Sequence, residues 1–400
     1  MLRFKNDDGS EFPEWEEHEI AELIQLYNEK VSSDCQLPIL TSSKKNGIEY
    51  QEKHFTGKQR HDIEGYNVLP RNYCTYRNRS DGTDFRFNIN KLCDKGIVSK
   101  FYPVFKEKDC DLFFLVSLLN NERKTVRKIA YTAKGTGQKV LSITDLRNIT
   151  VNMPSLSEQQ KIAEFLSMID TVIQKQKETV SAWEERKKGV MQKLFSQEVR
   201  FKADDGSDFP EWEEKKIDDV ATCFAGATPS TKIPEYWEDG TVRWMSSGEV
   251  NNGEIHDTEK RISQLGFDKC STKMVKPNTV VMALAGQGKT RGMVAITRVP
   301  LCTNQSLCAI ETNDDICDDY LYQYLQTQYN NLRLISSGDG TRGGLNLKLV
   351  GGYIVSVPCI AEQQKIADCL SSLDEVIEKQ KATLAAWEEL KKGLLQQMFV

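Results

Sequence analysis

Two stretches of this chain, about two hundred residues apart, are nearly the same sequence, and any fold must accommodate that duplication. The stretch SLSEQQKIAEFLSMIDTVIQKQKETVSAWEERKKGVMQKLF, Ser155 to Phe195, recurs as CIAEQQKIADCLSSLDEVIEKQKATLAAWEELKKGLLQQMF, Cys359 to Phe399. A leader recurs with it: RFKNDDGSEFPEWEE from Arg3 returns as RFKADDGSDFPEWEE from Arg200. The long segments between each leader and its repeat resemble each other only faintly. A constant frame thus carries two variable modules, which points to two related readings of one kind of ligand.

The repeated stretches have helical periodicity. In the first, Ile162, Leu166, Ile169, Ile173, Gln176, Val180, Trp183, Lys187, Val190 and Leu194 follow alternating steps of four and three. The second repeats the seam as Ile366, Leu370, Leu373, Ile377, Gln380, Leu384, Trp387, Lys391, Leu394 and Met398. A sustained heptad predicts a coiled coil, and its polar interruptions exchange stability for register. Like seams in one chain pair most economically about a pseudo-twofold axis, which makes the helices antiparallel. About 38 residues at roughly 1.5 Å each make a rod near 57 Å, with a module at either end. Pro154 and Pro358 stop the preceding strands, and Ser157 with Gln160 has capping-box spacing, weakened by Ala361 in the second copy.

Each module has one order of elements. A proline-initiated apolar strand (Pro70 with Tyr73 to Tyr76; Pro277 with Val280 to Leu284) leads into a turn-rich loop (78–83; 285–290). A second strand region, a short apolar helix from Asp111 or Asp319, and a glycine-bearing loop (133–139; 337–344) follow. The expected class is α+β: two mixed α/β modules joined and separated by two long antiparallel coiled-coil helices, in a pseudo-twofold repeat. The modules should span 1–154 and 199–358, and the helices 155–198 and 359–400.

The net charge of −5 argues weakly against nucleic acid, but its distribution argues for it. RKTVRKIAYTAKGTGQK, Arg123 to Lys139, contains no acid and carries Arg127, Lys128, Lys134 and Lys139. Lys44, Lys45, Lys53, Lys58, Arg60, Arg71, Arg77 and Arg79 form a second basic set with aromatics among them. Residues Lys269 to Ile310 also lack Asp and Glu and include Lys289, Arg291 and Arg298. Cations neutralise a phosphate backbone, while amides, hydroxyls and Arg forks pair with base edges. A solvated charge run is the bland alternative for any single stretch, and its recurrence in both modules favours nucleic acid.

Enzyme motifs fail. AGQGKT from Ala285 resembles the end of a P-loop, but Ala283 replaces the required first glycine and an apolar strand follows. The Asp208, Glu213 and Lys215 spacing resembles a nuclease set, yet its lysine is not repeated in the first copy. The DDGS turns lack the acids of a calcium loop. No methyl-donor motif is found. Eleven cysteines without a C-x-x-C, and four histidines, fit buried thiols rather than a metal or a disulfide framework. No apolar run is long enough to span a membrane, and the start MLRFKNDDGS has no signal core, so a cytoplasmic protein without metal or cofactor is expected.

The E-Q-Q-K-I-A openings at Glu158 and Glu362, the Trp183 and Trp387 heptads, and the F-P-E-W-E-E leaders at Phe12 and Phe209 resemble the specificity subunits of type I restriction-modification enzymes over the whole chain. The resemblance implies that the modules are target-recognition domains, each reading half of a split site in double-stranded DNA. The helices would be the antiparallel spacer that fixes the gap. Two methyltransferase subunits would dock on this frame for adenine-N6 modification, and two restriction (motor) subunits would join for ATP-dependent cleavage, leaving the chain itself without catalysis. It marks Arg79, Thr83, Gln287, Lys289, Thr290 and Arg291 as candidate DNA contacts, beside the basic candidates Lys44, Lys45, Arg77, Arg127, Lys128, Lys134, Lys139 and Arg342. Two other readings stay open: a scaffold for two protein partners, and a stand-alone DNA-modifying or nucleotide-hydrolysing enzyme.

Overall fold

The computed structural model describes residues 3–54, 62–286, 289–336 and 344–399. The chain forms two compact units that do not follow chain order: Met1–Glu178 with Ala382–Val400, and Thr179–Lys381. Each long helix, Leu156–Phe195 and Ile360–Met398, starts within one unit and finishes within the other. Every unit therefore holds the opening half of one helix and the closing half of the other.

In the first unit the leader strand Glu16–Glu19 pairs antiparallel with Thr150–Met153, closing the module on itself. Its main sheet runs in the order Ile24–Tyr27, Val104–Glu107, Cys74–Tyr76, Phe87–Ile89, packed beneath the helix Leu112–Asn121. The second unit repeats the closure with Glu213–Lys216 against Ile354–Val357. Its main sheet runs Ala221–Ala225, Leu307–Thr312, Val280–Ala283, Val294–Thr297, Glu254–Ile255, beneath the helix Asp318–Thr327. Strand period decides the burial: Val280 and Met282 face the helix-side core, while Val281 and Ala283 face a second apolar cluster. Pro70 ends the strand Asn67–Pro70 rather than starting one, because its missing N–H terminates the ladder with Lys95–Val98. Burial pushes the thiols of Cys110 and Cys302 up to about 12 and about 11, and all eleven cysteines are unbridged.

The repeated E-Q-Q-K motif is a clasp. Glu158 is fully buried and accepts from Arg3 Nε at 3.1 Å and its terminal nitrogen at 2.9 Å; Glu362, equally buried, accepts from Arg200 at 3.1 and 2.8 Å. The neighbouring Gln159 donates to Pro154 O at 2.8 Å and accepts from Asp111 N at 2.9 Å. Gln363 does the same with Pro358 O and Cys317 N, at 2.8 and 2.7 Å. Lys161 and Lys365 tie down the leader turns through Lys5 O and Lys202 O, at 2.9 and 2.8 Å. The capping expectation needs correction. The first long helix is capped by Ser155, whose hydroxyl accepts from Glu158 N at 3.4 Å, because the helix begins before Ser157. Cys359 takes that place in the second copy, and only its carbonyl serves.

Within each unit the two helix halves run antiparallel. In the first unit Lys177 meets Glu388 at 2.9 Å and Lys391 meets Asp170; in the second Lys381 meets Glu184 at 3.2 Å and Lys187 reaches both oxygens of Asp374 at 2.7 Å. The seam lysines Lys187 and Lys391 are thus each neutralised by an aspartate of the opposing helix. Ile162 and Leu166 join the first unit's core beside Met398 and Phe399, as Ile366 and Leu370 join the second's beside Met191 and Leu194. Ile169, Ile173, Val180 and Ile377 are buried, whereas Trp183, Val190, Leu373, Leu384, Trp387 and Leu394 are half-buried.

Removing the carboxylate of a buried pair strands its cation. Glu362→Ala should cost about 3 kcal/mol, and more than Glu158→Ala. Glu362 also accepts from Trp212 Nε1 at 3.0 Å, a bond that the buried Trp15 Nε1 of the first copy lacks. Urea unfolding of both variants, followed by a signal local to each unit, checks the order.

Candidate nucleic-acid interface

In the first unit the loop after Cys74–Tyr76 is fixed to the closing loop by backbone. Arg79 and Ser80 pair antiparallel with Val140 and Lys139, Leu141 N donates to Asn78 O at 2.9 Å, and Gln138 Nε2 donates to Asp81 at 3.2 Å. Two loops far apart in sequence thereby become one surface carrying exposed Arg77, Arg79, Thr83 and Lys134, with Lys139 half-exposed. Lys44, at the end of the hairpin Leu40–Ser43/Gly47–Tyr50, reaches the same surface, 3.5 Å from Ser80 Oγ and 3.4 Å from Asp84. Lys45 is exposed beside it.

Two contributors escaped the sequence reading. The Arg79 guanidinium stacks 4.3 Å over the exposed ring of Phe101, and Lys100 sits 5.7 Å from that ring. An aromatic beside a lysine just after an apolar strand was the available signal. Tyr131, 89% exposed, stands on the helix Arg123–Thr132 together with exposed Arg127. On the same helix Lys128 does not join the loop cluster: its ammonium holds Thr150 O at 2.7 Å and lies 3.7 Å from Glu17, fastening the frame strands. Lys134 is paired with Asp145 at 2.8 Å, but its side chain stays 76% exposed. That lysine, with the Ser142 hydroxyl, holds the Asp145 carboxyl below its ordinary range.

The second unit builds its loop in the same way. Leu345 N donates to Leu284 O at 2.9 Å, the counterpart of Leu141 to Asn78. Residues 284–293 link the antiparallel strands Val280–Ala283 and Val294–Thr297, so the AGQGKT segment is a hairpin loop, not the helix opening a P-loop requires. Gly292, at φ 81°, donates to Ala283 O at 2.9 Å and closes the turn in a conformation that favours glycine. Lys289 is exposed and Thr290 half-exposed. The loop is braced from below: Tyr329 Oη donates to Lys289 O at 2.7 Å and accepts from Arg333 at 3.1 Å. Gln287 and Arg342 lie outside the described residues, as do Lys58 and Arg60.

Here the acid-free stretch misleads. Arg291 is only 8% exposed, so its guanidinium packs within the unit and is not presented as a base contact. Arg298 is held by Glu254 and Asp319, both at 2.6 Å, and Lys276 by Glu311 at 3.3 Å. Acids distant in sequence reach these cations through the fold. Among the described residues no group of three or more His, Cys, Asp or Glu side chains is placed to hold a metal, and no helix is long and apolar enough to cross a membrane.

Two α+β units, each presenting a braced loop surface beside paired halves of long helices, define a two-module frame. Residues 14–181 and 210–386 match the family described as the type I restriction modification DNA specificity domain. The chain belongs to that family. It is similar to the type I restriction enzyme MjaIX specificity subunit of Methanocaldococcus jannaschii, 32% identical over 211 residues, covering 52% of this chain and 48% of that protein. It is also similar to the MjaVIII specificity subunit of the same organism, 25% identical over 321 residues, covering 76% and 73%. The EcoR124I/EcoR124II specificity subunit of Escherichia coli is 25% identical over 166 residues, 41% of each. The chain thus spans about half or less of the lengths of the MjaIX and EcoR124I/EcoR124II subunits. Among solved structures, the S subunit of the type I restriction-modification system from M. genitalium superposes with a TM-score of 0.61 at 16% identity, covering 100% of this chain and 98% of that one. A chain solved in work on complex assembly and conformational transition of the type I R-M system gives 0.54 at 16% identity, covering 97% and 98%. These likenesses bear on the fold.

Because Arg291 is packed inside, Arg291→Ala should act as a core truncation and lower stability by about 2 kcal/mol. A fall in the urea midpoint at unchanged slope is the expected result; an unchanged midpoint would restore it to the presented surface.

Proposed function

We propose that this chain is the non-catalytic subunit that reads a bipartite, gapped site in double-stranded DNA for a cytoplasmic type I restriction-modification complex. Residues 1–154 and 199–358 act as the two readers, and 155–198 and 359–400 as the spacer coiled coil between them. Two methyltransferase subunits use the frame to place adenine-N6 methylation, and two restriction subunits join for ATP-dependent cleavage. The observation that carries this reading is the reciprocity of the helix pairing. Asp170 and Asp374 occupy one position of the repeat, Lys187 and Lys391 another, and each aspartate meets the lysine of the other helix. Lys177 with Glu388 and Lys381 with Glu184 repeat that reciprocity. A pseudo-twofold between the copies generates such a pattern, and it supports modules held apart by a rod of fixed register.

On this reading the exposed cations Lys44, Lys45, Arg77, Arg79, Arg127, Lys134 and Lys139 position phosphates or read base edges for the first half-site. Thr83 supplies a hydroxyl there. Lys289, Thr290, Gln287 and Arg342 serve the second half-site. Phe101 adds to the first set by fixing the plane of Arg79, since a guanidinium stacked on a ring has fewer rotamers to lose on binding.

Selection of duplexes from a random pool, with the chain and its methyltransferase subunit together, should return two short sequences at one fixed gap. Recovery of nothing would move the chain to the scaffold reading. Inserting one heptad into each helix, after Lys177 and Lys381, preserves the seam and lengthens the rod by roughly 10 Å. The preferred gap should then grow by about three base pairs at about 3.4 Å each, with both half-site sequences unchanged. Arg79→Ala should relax the first half-site alone; a uniform loss with a salt slope smaller by about one marks a phosphate contact instead.

A further inference from the structure

Both units contain a cleft in the same place, between the module helix and the edge-side strand beside the recognition loop, yet the two clefts are lined by different chemistry. Positions are matched by counting from the backbone N–H that the clasp glutamine holds, Asp111 in one copy and Cys317 in the other. Five and nine residues on stand Val116 and Asn120 in the first unit, Tyr322 and Gln326 in the second, and all four line their clefts. The first cleft, about 720 Å³, is polar and cationic, with Lys44, Arg86, Asn88 and Lys91 on its walls. The second, about 460 Å³, is walled by Val250, Met293, Val294, Tyr322 and Tyr329. Its polar groups are few: the amides of Asn251 and Gln326, with Lys289 among the lining residues. A frame that keeps a cleft in place while exchanging its lining treats the cleft as part of what varies with the ligand.

We propose that the cleft of the second unit is a recognition subsite for one unstacked nucleobase of the half-site read by that module. This rests on the DNA-reading function proposed above. Its volume lies within the roughly 300–1,000 Å³ usual for small-ligand sites, and its apolar walls with a few polar groups have the usual composition. An unstacked base needs flat apolar or aromatic walls to replace its lost neighbours and hydrogen-bonding groups for its edge. Val250, Met293, Val294 and the two tyrosines offer the first, and the two amides, each with a donor and an acceptor, offer the second. Lys289 belongs both to the cleft lining and to the loop, where its ammonium serves the phosphate of the displaced nucleotide. The opening is coupled to the loop itself, because Tyr329 lines the cleft and holds Lys289 O. Gly253, at φ 72°, keeps the floor clear: a Cβ there would come within 3.1 Å of the Tyr322 hydroxyl. The charge of Lys289 and the adjoining loop favours a nucleotide over an aromatic side chain of a protein partner.

The full chain with its methyltransferase subunit is bound to its selected duplex carrying 2-aminopurine at each half-site position in turn. The expected result is a several-fold fluorescence rise at one position that vanishes in Met293→Trp, which fills the cleft, and falls in Gln326→Ala, which removes an edge contact and leaves the walls intact. Affinity for that duplex should weaken roughly tenfold in both, as for loss of one base-stacking contact. Sequence-specific binding by the wild type, with no rise that depends on either variant, would overturn the subsite while leaving the split-site reading intact. If no duplex is selected at all, the reading itself fails and the subsite with it. Loss of methyltransferase co-elution in Met293→Trp without DNA would assign the cleft to a protein side chain and overturn the proposal.

Discussion

The rest of the architecture depends on a carboxylate with no access to water. Glu158 and Glu362 sit fully buried in the first turn of the long helices, where an isolated charge is untenable without a partner. Each is matched by an arginine from the leader, and the helix N-terminus favours the negative charge further. The glutamine beside it then takes the last carbonyl before the helix and the first N–H of the module helix. Three remote pieces of chain are fixed to one turn: the leader, the end of the closing strand and the start of the module helix. The direction in which each long helix leaves its module is therefore set by hydrogen bonds of defined geometry, not by apolar contact alone. Recognition loops hung on such a base inherit its orientation.

The frame was legible in the sequence because it is written twice and because its rules are local. Heptad spacing, the prolines after the closing strands and the failed P-loop needed nothing beyond residues near one another in the chain. The seam lysines could be read as costs, but their partners could not. Asp170 and Asp374 lie outside the apolar repeat, and they become partners only once the helices run antiparallel. The cap at Ser155 was missed because Ser157 also had the right spacing, and the true start depends on where the clasp glutamine pulls the chain. The exchange of helix halves between the units was not legible at all, since Met398 and Phe399 enter the first unit's core through tertiary packing.

The interface was less legible, for a physical reason. A stretch without acids was taken as a positive surface, yet charge along a chain is not charge on a face. Arg298 gathers Glu254 and Asp319 from distant segments, Lys128 turns toward Glu17, and Arg291 is packed inside. Conversely, Phe101 gave almost no signal in sequence, although it orients the guanidinium of Arg79.

These cations separate by what it costs to release them. Arg298 is 22% exposed and shared between two carboxylates, so drawing it toward a ligand would leave both acids uncompensated in a partly buried site. Lys134 and Lys44 keep 76% and 54% of their side chains exposed, and each holds one carboxylate across solvent. Exposed pairs of that kind contribute about 0–1 kcal/mol, so a phosphate can replace the carboxylate at little expense. The acids among the loops, Asp84 and Asp145, then act as placeholders that orient the lysines before DNA arrives and yield when it does. A module built this way can exchange its loops without loss of stability, because the groups that meet the ligand are not the groups that hold the fold.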